Sequence, residues 1–288
     1  MSLIIRMLLA RAQSLFQVQI CHFQWMGNHF HMILAGRAAA ISLFMGYFQG
    51  EVAKYIKLIV PKLYRGNFWS GRFKEQRLCS AMDVVNKIVY IYANPARANL
   101  VKSVSEWPGV SSWKMYKEGY YSFTTRFVLL KNFKKIARRL PFLKDCDAAS
   151  VLSSISTDSY ELRISPNIWK RCFAESRNWS DEYIYDTIIC SVAIRERLLA
   201  QERGSRSVLG AFALRHQAIR QDYESKSKHK TPFIICCDRE LRLKFIQSYR
   251  EFCLKCRQAW EKWKLGFLGV EFPSGCYRPG VPIVVAKI

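Results

Sequence analysis

Acidic residues and long apolar runs are scarce in this chain of 288 residues, and both shortages exclude classes of protein. Only 22 residues are Asp or Glu against 45 Lys or Arg, which gives a formal net charge of +23. No segment reaches the roughly 18 uninterrupted apolar residues that would span a bilayer. The opening stretch, interrupted by Arg6 and Arg11, favours a helix over a secretory signal. We therefore expect a cytoplasmic protein with no membrane partner.

Organised cysteine patterns are also lacking. The ten cysteines are scattered, and Cys253 and Cys256, the one Cys-x-x-Cys pair, have no second pair at zinc-finger spacing. A disulfide framework and a structural zinc site are therefore both disfavoured. The thiols are expected to stay reduced and mostly buried.

The residues that are abundant favour a globular protein with a polyanionic partner. Hydrophobic residues make up 50% of the chain, which is enough for one large domain or two smaller ones. The excess of Lys and Arg is spread along the sequence and favours nucleic acid over an anionic membrane surface. Aromatic residues reach 14%. Rings interspersed with cations suit unpaired bases better than an intact duplex, although most rings are expected in the core.

Two histidines separated by one apolar residue stand out in the stretch Met-Gly-Asn-His-Phe-His-Met-Ile. The Gly-Asn pair before them predicts a tight turn between two strands, at residues 16–25 and 29–35. Because side chains alternate along a strand, His29 and His31 point to the same face, where two imidazoles can share a divalent cation. The alternative is that they are simply polar residues on the solvated face of a hairpin.

Residues 81–93 predict an amphipathic helix, because their Val, Ile and Tyr92 side chains share one sector at about 100° per residue. Tyr90 and Asn94 lie outside that sector and, four residues apart, share a face. Pro95 is expected to end the helix, since proline disfavours a helical residue before it. Tyr90 is therefore a candidate functional residue, whereas Tyr92 is expected to be structural.

Residues 61–77 combine basic and aromatic side chains in a predicted loop and strand. Cations suit phosphates and rings suit bases, so the segment is a candidate surface for gripping a nucleic-acid strand. A β-hairpin with a solvated face would have the same composition. The residues assigned to DNA binding are Arg65, Trp69, Arg72, Lys74 and, near the end of the predicted helix, Arg97.

Four motifs follow one another in the first 120 residues. They are the histidine pair, the loop with Phe-Trp-Ser-Gly-Arg-Phe-Lys, the run Tyr-Ile-Tyr-Ala-Asn-Pro-Ala-Arg-Ala-Asn-Leu-Val, and Glu-Trp-Pro-Gly-Val-Ser-Ser-Trp at 106–113. In this order they resemble the single-tyrosine HUH transposases, specifically the REP-associated tyrosine transposases. The resemblance covers residues 3–117.

The resemblance implies a specific chemistry on DNA. His29 and His31 would hold a Mg²⁺ or Mn²⁺ ion at the scissile phosphate of hairpin-containing single-stranded DNA, and Asn94 would complete or support the metal site. Tyr90 would attack the phosphorus and form a reversible 5′-phosphotyrosine link. The protein would then be associated with the bacterial nucleoid. Tyr90 would serve either the metal site of its own chain or that of a second copy in a homodimer.

The resemblance also implies an α+β fold: a ferredoxin-like antiparallel sheet with helices on one face and the metal and DNA on the other. Family members begin with a strand that lies inside this sheet, whereas this chain starts at the next helix, so the first strand is expected to be missing. We expect a truncated transposase-like domain at 1–120 and a mainly helical, basic extension for accessory DNA binding at 121–288. Helices are predicted there at 181–203, 207–223 and 240–265.

Two other functions fit parts of the sequence. A catalytically inactive or repurposed remnant would bind nucleic-acid hairpins through the basic surface without cleaving them, and the missing strand favours this alternative. A metal-dependent hydrolase of small phosphates has less support, because no motif indicates a closed pocket. Salt-dependent binding of nucleic acid is expected of both the transposase and the inactive remnant. Only a test of DNA cleavage therefore distinguishes the two functions.

Overall fold

The computed structural model describes residues 1–60, 66–217, 232–276 and 280. The fold is α+β, as predicted, with helices around short strand pairs. The strands are β1 (Gln19–Trp25), β2 (Phe30–Ala35), β3 (Arg77–Leu78), β4 (Ser122–Phe127), β5 (Asp158–Arg163) and β6 (Ile234–Ile235). The helices are α1 (Ser2–Leu15), α2 (Ala38–Ile59), α3 (Ala81–Arg97), α4 (Trp113–Lys117), α5 (Leu130–Ile136), α6 (Asp145–Ser154), α7 (Asp181–Arg203), α8 (Ala211–His216) and α9 (Arg239–Lys264).

Helix α1 lies in the middle of the core, between the antiparallel pair of strands β4 and β5 on one side and α2 on the other. Leu8 and Leu9 are fully buried there. The two arginines of α1 pack over rings of β4: the guanidinium carbon of Arg11 lies 4.1 Å from the centre of the Phe127 ring. The N-terminal segment is therefore an integral, apolar part of the fold, which confirms the predicted helix.

The antiparallel hairpin of β1 and β2 separates α2 from α3. Trp25 pairs with Phe30, and Gln24 pairs with His31. Because neighbouring residues of a strand point to opposite faces, these two pairs lie on opposite faces of the hairpin. Trp25 and Phe30 stack with ring centroids 4.9 Å apart and meet the ring of Phe48 in α2 edge-on. The face of Gln24 and His31 lies against α3. Both strands predicted around the Gly-Asn turn are thus confirmed.

A β-bulge interrupts β1 between Ile20 and His22. The pairing with β2 shifts by one position at Cys21, which is the extra residue. Between the bulge and the turn the register is set by the turn, where the Met26 amide donates to the His29 carbonyl at 2.8 Å, and Gln24 stands opposite His31. The turn therefore places a polar carboxamide beside the histidine, whereas the bulge shifts the pairing of residues 19–20.

The edge of β1 that faces away from β2 is covered by two other segments. The Trp25 amide donates a hydrogen bond to the Val110 carbonyl at 2.8 Å, and the Ser112 amide donates to the Phe23 carbonyl at 3.0 Å. Residues 164–165 cover the start of the same edge. These bonds satisfy backbone groups that a bare strand edge would leave unpaired.

The Glu-Trp-Pro-Gly-Val-Ser-Ser-Trp motif forms the first of those covering segments. Its Trp107 indole N–H donates to the Trp25 carbonyl at 3.0 Å. Gly109 lies so close to that indole that a Cβ there would come within 2.4 Å of Trp107 Nε1. The motif therefore supports β1 structurally, and its glycine is needed for the close approach.

The prediction that Pro95 ends its helix is wrong, because α3 continues to Arg97. A proline in the last turn forfeits only the hydrogen bond of its own nitrogen. The Ala98 amide still donates to the Asn94 carbonyl at 3.0 Å. Asn94 thus stays inside the helix, one turn after Tyr90.

The chain beyond residue 120 is mainly helical, and α7 and α9 confirm the helices predicted at 181–203 and 240–265. The helix predicted at 207–223 is shorter: α8 has no buried side chain to anchor it, and residues 218–231 lie outside the described part. The core includes residues on both sides of 120, and the boundary between the two predicted domains stays a prediction.

Among the described residues, no helix has both the length and the apolar character that a bilayer crossing requires.

A buried polar network joins β1 to α3. The His22 Nε2–H donates to the Pro166 carbonyl at 3.2 Å, so Nδ1 accepts from the Tyr92 hydroxyl at 2.7 Å. The Tyr92 oxygen also lies 2.8 Å from Ser112 Oγ. Burial lowers the pKa of His22 to about 3, although the bond to Pro166 opposes the shift. Tyr92 is therefore structural, as predicted.

We expect acidification to destabilise the fold through His22. In the unfolded chain this imidazole binds a proton near pH 6.5, whereas in the folded chain it stays neutral down to about pH 3. The free energy of unfolding should therefore fall as the pH is lowered through this window, by up to about 1.4 kcal/mol per pH unit for this group. Urea denaturation across the window should give a shallower pH dependence for His22→Gln than for wild type. His216→Gln, at an exposed histidine of α8, should keep the wild-type slope, and equal slopes for all three proteins would contradict the assignment.

Candidate active site

Four residues that are distant in the sequence meet between the hairpin and α3. The imidazoles of His29 and His31 lie edge to face with centroids 5.0 Å apart. His31 meets the Tyr90 ring edge-on at 5.7 Å, and the Asn94 amide nitrogen lies 3.4 Å from His29 Nε2. The structure therefore brings together all four residues that the sequence assigned to the metal and the nucleophile.

Asn28 orients the first histidine. The His29 Nδ1–H donates to the Asn28 side-chain oxygen at 2.7 Å, since an amide oxygen can only accept. Nε2 is then the unprotonated nitrogen, and it is the one that faces Asn94. A hydrogen bond on the remote nitrogen is the usual way to fix the tautomer of a metal-binding imidazole.

His31 lies deeper and has an unsatisfied nitrogen. Its Nε2 is buried and has no hydrogen-bond partner in the described part of the chain. Burial, followed by the nearby His29, Lys87 and Arg97, lowers the pKa of His31 to about 4. Burial also lowers the pKa of His29. Both imidazoles are therefore neutral at physiological pH, which is the form that binds a metal.

Two cations flank Tyr90 on α3. The Lys87 ammonium lies 4.6 Å, and the Arg97 guanidinium carbon 4.9 Å, from the centre of the Tyr90 ring. Lys87 is held in place because its ammonium donates to Gln76 Oε1 at 2.8 Å. Burial and the neighbouring Arg97 lower the pKa of Lys87. Positive charge beside a phenol stabilises negative charge on its oxygen and on a bound phosphate.

Gln24 is a polar residue of the site that the sequence did not indicate. It lies opposite His31, is fully buried, and neither its Oε1 nor its Nε2 has a hydrogen-bond partner among the described residues. Each unsatisfied buried group of this kind costs about 1–3 kcal/mol. Asn28 and Lys87 were also missed, because only their contacts distinguish them from other turn and helix residues.

The residues present fit a divalent cation. No three His, Cys, Asp or Glu side chains converge as metal ligands in the described ranges. A metal at this site would therefore take two neutral imidazoles from His29 and His31, and its other ligands from amide oxygens, substrate and water. The orphaned His31 Nε2 is the atom that such an ion would satisfy. Open positions filled by oxygen suit Mg²⁺ and Mn²⁺.

The residues assigned to DNA binding lie in different places. Arg65 is outside the described residues, and Arg97 lies at the site. Arg72 and Lys74 are exposed in a segment, 66–76, that consists of bends and extended chain instead of the predicted strand. Trp69 packs on the opposite face of the hairpin: its indole N–H donates to the Gln49 carbonyl and its ring contacts Trp25 and Phe30. The structure therefore does not bring Trp69 to the histidines.

The chain was compared with protein-family models, with curated proteins and with solved structures, and none of them matches.

Replacing Asn28 should weaken metal binding without unfolding the protein. The Asn28→Ala variant loses the acceptor that holds His29 in its tautomer, and losing such a partner typically costs about 10–100-fold in metal affinity. The dissociation constant for Mn²⁺ can be measured by electron paramagnetic resonance of the free ion. Asn86→Ala, at an exposed position of α3, is the matched control and should bind Mn²⁺ like wild type. Equal affinities for the two variants would show that Asn28 does not orient a ligand.

Proposed function

We propose that this protein is a metal-dependent transposase that nicks and rejoins hairpin-containing single-stranded DNA, with Tyr90 as the nucleophile. The observation that supports the proposal most directly is the meeting of Tyr90 with His31, at 5.7 Å between ring centres, and of Asn94 with His29. A phenol can act as a nucleophile, and two neutral imidazoles with an amide can hold a metal ion that polarises the phosphate it attacks.

The covalent step needs no external source of energy. The Tyr90 oxygen forms a bond to phosphorus, the bond from phosphorus to the 3′-oxygen breaks, and the phenolic proton ends on the departing 3′-hydroxyl. The products are a 5′-phosphotyrosine and a free 3′-hydroxyl. Because the new link is again a phosphodiester, a later hydroxyl can reverse the step and join a different strand.

The residues around Tyr90 have separate roles in this step. Lys87 and Arg97, which flank the ring, stabilise the charge on the phosphate oxygens as the transition state forms. His29 and His31 would hold the metal, and Asn28 keeps His29 Nε2 unprotonated for that purpose. When bound, Mg²⁺ or Mn²⁺ would supply Lewis-acid polarisation of the scissile phosphate.

Single-stranded DNA is the partner that the charge distribution supports. Helix α9 has eight Lys and Arg residues against three Glu, all eight are exposed, and Trp260 stacks on Trp263 with centroids 5.0 Å apart. Cations and accessible rings together suit an unpaired strand. We assign α9 to accessory DNA binding. The ferredoxin-like topology and the homodimer rest on the resemblance in sequence and belong to this proposal.

The decisive test is a covalent adduct. Wild-type protein is incubated with Mn²⁺ and a pool of single-stranded hairpin oligonucleotides that have randomised flanks and a fluorophore at the 3′ end. The labelled 3′ segment should then migrate with the protein on a denaturing gel, because its 5′-phosphate is bound to tyrosine. Tyr90→Phe and chelation with EDTA should each abolish the labelled band.

Tyr121→Phe, at an exposed tyrosine remote from the histidines in sequence, is the matched control and should form the adduct like wild type. An adduct of undiminished yield with Tyr90→Phe would show that another residue is the nucleophile. Salt-sensitive binding of the same oligonucleotides with no adduct under any metal condition would instead favour the non-catalytic hairpin-binding protein, for which the exposed basic face of α9 is sufficient.

A further inference from the structure

Three buried polar atoms without partners in the described part of the chain belong to two residues that are paired across β1 and β2. They are Nε2 of His31 and both amide atoms, Oε1 and Nε2, of Gln24. Gln24 is fully buried, so water at the surface cannot satisfy its carboxamide. Native proteins rarely leave a buried amide unpaired unless an ion, a ligand or an ordered water completes it. Three such atoms on two neighbouring residues therefore indicate a bound species.

The strand register makes the two residues neighbours. Gln24 and His31 are direct partners in the antiparallel pairing of β1 and β2. Directly opposed side chains have Cβ atoms about 4.5–5.5 Å apart on one face. The carboxamide of a glutamine can thus reach an ion that is bound to Nε2 of the opposite histidine. The two-residue turn at Gly27 and Asn28 sets this pairing, because the Met26 amide donates to the His29 carbonyl at 2.8 Å and the register continues from there to Gln24 and His31.

We propose that Gln24 is an additional ligand of the divalent cation, with its Oε1 bound to the ion that His29 and His31 hold. This inference rests on the proposed function, because it assumes the metal of that site. An amide oxygen is a hard, neutral donor that both Mg²⁺ and Mn²⁺ accept. It would complement the two imidazoles without the negative charge of a carboxylate, which would repel a DNA phosphate.

The other end of the carboxamide has a role in the same arrangement. With Oε1 on the ion, the Gln24 Nε2–H group would be free to donate to a water enclosed with the ion. Both unsatisfied atoms of Gln24 and the unsatisfied nitrogen of His31 are then paired. An apolar residue of similar size would pack in the same space but could pair neither atom.

The test is Mn²⁺ binding by the full-length chain in the absence of DNA, measured by electron paramagnetic resonance of the free ion. Gln24→Leu should raise the dissociation constant about tenfold or more. Gln24→Glu should lower it, because a carboxylate binds Mn²⁺ more tightly than an amide. Gln19→Leu, the same substitution at the exposed start of the same strand, should leave it unchanged.

A second measurement excludes a merely structural role. The metal-free Gln24→Leu protein should melt at the same temperature as wild type or higher, because two unsatisfied buried atoms are removed. A lower melting temperature of the metal-free variant, or an unchanged dissociation constant, would overturn the proposal. If Gln24→Leu does not fold, the Gln24→Glu variant tests the proposal. A Mn²⁺ affinity of Gln24→Glu that is equal to or weaker than that of wild type would show that Gln24 is not a ligand. Absence of Mn²⁺ binding by wild type would instead overturn the proposed metal site itself.

Discussion

The packing of α3 across the β1–β2 hairpin is the interaction on which the site depends. The two faces of the hairpin differ sharply: the face toward α2 is aromatic, with Trp25 stacked on Phe30, whereas the face toward α3 is polar. Burying polar groups is costly unless they are paired. Near the bulge the cost is offset, because Tyr92 and Ser112 complete the hydrogen bonds around the buried imidazole of β1. Near the turn the cost is not offset, and the groups left unpaired there, on Gln24 and His31, belong to the candidate site.

The positive charges near the turn of the hairpin favour an anionic substrate. They also favour the neutral form of the candidate metal ligands. Burial keeps His29 and His31 neutral, and the positive charges of Lys87 and Arg97 add to this effect at His31. The same two cations lie over the ring of Tyr90 and remain available to a phosphate. Cations close to the histidines thus serve two purposes, since they disfavour protonation of a ligand and attract the group on which the tyrosine would act.

Segments distant in the sequence hold this arrangement in position. The outer edge of β1 is covered by residues 110–112 and 164–165, which takes the place of a neighbouring strand. At the start of α3, Asp83 accepts from the Ser80 hydroxyl at its own helix terminus and from the Cys237 amide at 3.0 Å, next to α9. The helix with the candidate nucleophile is thereby tied at its N-terminus to the basic C-terminal helix. The candidate site and the basic helix α9 are thus linked through α3.

The sequence by itself determined the candidate residues and several of the elements, because both follow from local patterns, whereas β4, β5 and α6 were not predicted. Helical periodicity located α7 and α9, and strand alternation placed His29 and His31 on one face. Tertiary structure alone decided the continuation of α3 through Pro95, the packing of Trp69 away from the histidines, and the burial of Gln24. The register of the turn puts Gln24 opposite His31, but its burial comes from the segments that pack around the hairpin. No local pattern contains those contacts. The candidate ligands could therefore be proposed from the sequence, but the residues that surround them could not.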